Sequence, residues 1–216
     1  MTIIFQVIPV AFGAAVSPFI LTVVILTLSG QNFPKIRTIA VILGCTAVVV
    51  IIGVIGLTLT GLALPKAPPK LSGSIDIFLG ILLLYLGIKK YFSRESSKKS
   101  PAVQKENSAH LIKSFYIGVL IMITNLTTLV LYIEAIKIIA EAKVGIVSDA
   151  LNLSVVIFII LLPGTIPLLI DLIFPSYAKK ALGSVNKFVV NNEKYIMIIF
   201  MSFFGLYLMI KGAFKL

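Results

Sequence analysis

The chain has 216 residues, of which 59% are hydrophobic and 12% charged, with a mean hydropathy of +1.11. A soluble domain spreads charge over roughly a quarter of its residues, so these values exclude one and define an integral membrane protein. The net charge of +11 comes from basic residues that fall between apolar blocks rather than on one patch, which points to membrane topology and anionic headgroups and away from nucleic acid.

The first apolar segment, Ile3 to Leu28, carries no charge. No Lys or Arg precedes Lys35, so the basic start of a signal peptide is missing and the segment is expected to remain as a span. Near its middle lies Gly13-Ala14-Ala15-Val16-Ser17-Pro18. Pro18 has no N–H, so the carbonyl of Ala14, one turn back, loses its helical partner. In hydrocarbon that oxygen must be met by a hydroxyl, a neighbouring helix or water. Ser29 to Pro34 reads as a turn, followed by Lys35 and Arg37. The second segment, Thr38 to Leu64, is uncharged and holds Gly44, Gly53, Gly56 and Gly61, small residues that let membrane helices approach closely. Cys45 is the one cysteine, which excludes an intrachain disulfide or thiol relay.

Pro65, Pro68 and Pro69 break the chain, with Lys66 and Lys70 among them. The third segment is uncharged from Ile77 to Ile88 and is flanked by Asp76 and Lys89, whose stem can reach an interface. Lys89 to Lys113 is the long polar connection, rich in Lys and Ser, and holds the lone His110; it reads as a flexible loop. The fourth segment, from about Ile112 to Ile136, contains Thr124, Asn125, Thr127 and Thr128. A mid-membrane amide such as Asn125 needs a polar partner. A short charged loop with Glu141, Lys143 and Asp149 leads to the fifth segment, Ala150 to Phe174. There Pro163 and Pro167 share a helical face and release the carbonyls of Ile159 and Pro163. Pro175, Lys179, Lys180 and Lys187 read as another polar loop before the sixth segment, Tyr195 to Ile210, with Lys211 and Lys215 beyond it.

Six spans alternate the loops between two sides. Loops one, three and five carry 2, 7 and 4 of the 19 Lys and Arg, against 2 each for loops two and four and the C-terminal tail. The basic side belongs in the cytoplasm, so both termini of this plasma-membrane protein are expected outside. Three spans per half then make the halves inverted. Tyr85-Leu86-Gly87-Ile88-Lys89 and Tyr207-Leu208-Met209-Ile210-Lys211 match at four of five positions at the same place in each half. The expected architecture is an all-α polytopic membrane protein of six transmembrane helices: a first three-helix repeat (1–91), a basic cytoplasmic linker (92–111) and a second three-helix repeat (112–216).

Ser17, Pro18, Asn125 and Pro163 each fall about midway along their segments. Helices broken at one depth in corresponding positions of two halves mark a transport site. The candidate substrate-binding residues are Ser17, Pro18, Thr124, Asn125, Pro163 and Thr165. Asp76, Glu134 and Asp171 lie towards segment ends, which disfavours cation-coupled metal export, since coupling carboxylates sit inside the membrane. No catalytic group, metal site or cofactor is expected: there is no His beside a nucleophile, no acid pair and no phosphate loop.

The opening Pro9-Val10-Ala11-Phe12-Gly13-Ala14-Ala15-Val16-Ser17-Pro18, the basic middle loop, Leu162-Pro163 and Asn191-Asn192 together resemble the GAP/Sap family. That family is named for sulfolipid- and glycopeptidolipid-addressing proteins and belongs to the lysine-exporter superfamily. The resemblance covers essentially the whole chain. It implies two inverted three-helix halves and export of amino acids, small solutes or cell-envelope lipids. Ser17-Pro18 matches the family's proline break in helix one. Thr124-Asn125 matches its Asn-Pro break in helix four, but Leu126 stands where the proline would be, so the second break is expected to be the weaker. The expected function is export or flipping of a lipid-like amphiphile or small solute through a midplane site. The alternative is a non-transporting scaffold for envelope assembly, docked through its basic loop. Anionic lipid headgroups are the expected partners, and association between copies of the chain is left open.

Overall fold

The computed structural model describes the backbone of residues 2–30, 32–63, 69–92 and 111–216. Most of the basic connection, including His110, and the Pro65–Pro68 turn lie outside the described residues. The described elements are all helices: α1 (Thr2–Ala15), α2 (Pro18–Leu28), α3 (Pro34–Ala63), α4 (Pro69–Phe92), α5 (Leu111–Thr124), α6 (Leu126–Glu141), α7 (Ile146–Ile173) and α8 (Pro175–Ala213). Four are long and apolar enough to cross a membrane alone. The pairs α1–α2 and α5–α6 each make one more span bent at its middle, by 56° and 72°. The protein is thus an all-α polytopic membrane protein whose spans follow the apolar segments of the sequence.

One expected loop is absent. The residues around Lys179 and Lys187 do not form a polar connection but belong to α8, which runs 39 residues without interruption. Pro175 sits in its first turn, where a proline sacrifices no helical hydrogen bond. Ala178 and Leu182 behind it are buried. They lie four residues apart, so an apolar stripe of helical period carries the charged stretch into the last span.

The most extensive packing crosses between the halves, in the pairs α4/α8, α3/α5 and α1/α6. Glycines permit it. A Cβ on Gly73 would fall 2.7 Å from the carbonyl oxygen of Gly212, and one on Gly80 would fall 2.7 Å from that of Gly205, so α4 and α8 meet backbone to backbone in antiparallel register. Gly44 of α3 and Gly118 of α5 do the same against the Phe115 and Val41 carbonyls. Gly53 leaves room for the Tyr132 hydroxyl, which donates to the Val49 carbonyl at 2.8 Å. The packing role expected for the glycines of the second segment therefore holds at Gly44 and Gly53. The side-chain surroundings of Gly61 lie outside the described residues.

Candidate functional site

The two helix breaks meet. Ser17 is the N-cap of α2, and its hydroxyl oxygen accepts from the backbone N–H of Ile20 at 3.3 Å. The same oxygen accepts from Asn125 Nδ2 at 2.7 Å. Asn125 is in turn the N-cap of α6, its Oδ1 accepting from the N–H of Thr128 at 3.4 Å. The Ala14 carbonyl left open by Pro18 receives the Thr128 hydroxyl at 2.8 Å. Each break is therefore satisfied from the other, and four polar groups that hydrocarbon could not tolerate become one closed set.

Leu126 does not weaken the second break. It bends by 72°, more than the 56° at Ser17-Pro18. Asn125 ends α5 by adopting non-helical dihedrals (φ −83°, ψ 72°) and starts α6 as its cap, so no proline is needed. The Thr124 hydroxyl turns back to the Leu120 and Ile121 carbonyls, at 2.7 and 3.2 Å. Ile121 thereby gains a partner where the amide of Asn125 bonds Met122 instead.

Beside this junction lies a cavity of about 380 Å³, walled by the Ala15–Pro18 break and Leu21 of α2, by Pro163, Ile166, Pro167 and Ile170 of α7, and by Leu182, Val185, Val189 and Ile196 of α8. Ser17 is the one hydroxyl-bearing residue in that wall. Ile166 and Val185 are 46% and 45% exposed, so the wall is open rather than sealed. Of the candidate residues, Ser17, Pro18 and Pro163 line the cavity, and Asn125 reaches it through Ser17. Thr124 and Thr165 are not in the wall. Both hydroxyls are taken by carbonyls of their own helices, Thr165 bonding Leu161 at 3.1 Å. The α8 contribution was hidden in the sequence because the lysines of 179–194 read as a loop; the spacing of Leu182, Val185, Val189 and Ile196 was the available signal.

Two of the three acids placed towards segment ends turn inwards. Asp76 and Glu134 are both fully buried inside the protein. They join Lys137, Glu141, Lys211 and Lys215 in an ion network between α4, α6 and α8. Glu134, Lys137 and Glu141 recur at helical spacing on one face of α6, a pattern readable in the sequence once the segment is known to be helical to Glu141. Asp171 instead pairs with Lys35 at 3.8 Å. Among the described residues no group of three or more His, Cys, Asp or Glu side chains is arranged to hold a metal ion.

Broken spans capped against each other beside an open apolar cavity define a polytopic membrane protein. The family model described as Sap, sulfolipid-1-addressing protein, matches residues 7–213, so the chain belongs to the Sap family. That membership, with the fold, assigns it to membrane proteins of lipid addressing and export. No curated protein and no solved structure matches it.

Proposed function

We propose that this protein exports or flips a lipid-like amphiphile, whose apolar part enters the cavity between α2, α7 and α8 while its polar part meets the Ser17–Asn125 junction. The observation that carries this is the wall itself: a space of about 380 Å³ bordered by aliphatic side chains and prolines, with a single hydroxyl at the helix break. Sites for small molecules occupy roughly 300–1,000 Å³ and are lined mainly by apolar groups with a few placed polar ones. A small polar solute would lose its hydration to this wall without recompense, whereas an acyl chain would not.

The halves correspond in their order of elements, each opening on a span broken at a capping side chain and continuing into two further spans. This supports an inverted repeat of the kind whose transporters bind substrate at the midplane. The charge bias supports cytoplasmic placement of the basic loops. Lys137, Lys211 and Lys215 belong to the internal network rather than to loops. Without them the less basic side keeps Lys66, Lys70 and Lys143, which sharpens the asymmetry.

The test is native mass spectrometry of gently purified protein, comparing wild type with Val189→Trp, which fills the cavity from α8. Wild type should carry an amphiphile that the variant retains at least tenfold less. Equal retention in a folded variant would remove the cavity from the pathway.

A further inference from the structure

The ion network lies well away from the cavity along α8. From Ile196 in the cavity wall to Lys211 in the network, α8 rises about 22 Å. Lys211 bonds Glu134 at 2.5 Å, and Lys137 lies 3.2 Å from the same carboxylate while also pairing with Asp76. Lys215 reaches Asp76 at 3.3 Å and Glu141 at 2.9 Å. Ser72 of α4 ties the set together, accepting from Lys215 at 2.8 Å and donating to Glu141. Three carboxylates thus face three lysines, and α6 is bound through them to the α4/α8 pair. Just inside this layer Leu79, Leu83 and Leu208 are buried.

Stability does not account for so many charges here. Buried ion pairs can usually be replaced by apolar side chains at no loss, because desolvation consumes most of their attraction. What an ionic contact does that an apolar one cannot is separate into water without exposing hydrocarbon surface. The element it holds is also suited to move. α6 is a 16-residue rod that begins at the Asn125 break, and its Glu141 end lies about 24 Å from that hinge.

We propose that the network is the closed gate of the pathway, on the side of the protein away from the cavity, and that α6 opens it by tilting about Asn125 so that Glu134, Lys137 and Glu141 leave Asp76, Lys211 and Lys215. The proposal rests on the transport reading for its purpose, although its geometry is independent of the substrate. A closed gate opposite an open cavity is the arrangement that alternating access requires in one of its two states.

The test uses the full chain in proteoliposomes with Cys45→Ala and a reporter Leu79→Cys beneath the network. A membrane-impermeant maleimide should label the reporter slowly when the network is intact. In Glu134→Gln/Lys211→Gln labelling should rise at least tenfold; unchanged labelling in that folded variant overturns the gate. A second variant guards against simple misfolding: Ser72→Cys/Glu141→Cys in the Cys45→Ala background, bridged by a short reducible bifunctional thiosulfonate. Bridged protein should retain its amphiphile but transport at least tenfold more slowly than the same variant left unbridged, and return to that unbridged rate on reduction. Full transport while bridged overturns the gate. Absent transport by the wild-type chain in the same vesicles, with reporter labelling still responding to neutralisation, counts against the transport reading and supports the gate.

Discussion

The two helix breaks reach the same end by different chemistry. At Ser17-Pro18 the break is imposed by subtraction: Pro18 lacks a donor, and the Ala14 carbonyl must find another. At Asn125-Leu126 nothing is subtracted, and the break follows from a side chain that caps the next helix more favourably than its backbone continues the last. The capped break is also the sharper, 72° against 56°. A proline is therefore neither necessary for a break nor, as Pro163 and Pro167 inside the continuous α7 show, sufficient for one; what both breaks share is a polar partner at the same depth. Here each break supplies that partner to the other through Asn125–Ser17 and Thr128–Ala14.

Substitutions at the junction can break that equivalence. The largest effect is expected for Asn125→Leu, which deletes the α6 cap and the bond to Ser17 together. It should cost about 3 kcal/mol, combining a lost cap with a lost interhelical bond, and abolish amphiphile retention; thermal unfolding in detergent and native mass spectrometry read the two. Thr128→Val keeps the shape but strands the buried Ala14 carbonyl, for about 2 kcal/mol. A much smaller loss in the same melting measurement would mean that another donor reaches Ala14. Ser17→Ala, which removes the α2 cap but leaves the half-buried Asn125 in place, should cost about 1 kcal/mol. Leu126→Pro is expected to be mildly stabilising, by about 0.5 kcal/mol, since a first-turn proline needs no donor and stiffens the unfolded chain. If it instead lowers the melting temperature by several degrees, the two breaks are not interchangeable in chemistry.

Much of this was legible in advance. Six apolar segments mark six spans, because the bilayer demands long uncharged runs wherever backbone crosses it. Pro18 announced an open carbonyl and Asn125 an amide needing a partner, and both needs are local consequences of covalent structure. The sequence also carried the cavity residues Ser17, Pro18 and Pro163. It misled at α8, where lysines near 179–187 mimic a loop although the apolar spacing around them is helical; the Thr124 and Thr165 hydroxyls bond carbonyls of their own helices.

By itself, then, the sequence determined that this is a membrane protein, where its spans lie and which backbone groups could not be left alone, since desolvation cost depends on a residue's own chemistry and depth. Which groups would answer those needs was decided by tertiary structure. Ser17 and Asn125 are 108 residues apart in the chain. Asp76, Glu134 and Lys211 come from three different helices. Read singly they pass for interfacial charges near segment ends. Only the close glycine-mediated approach of α4 and α8, with α6 laid against them, brings the opposite charges within reach of one another.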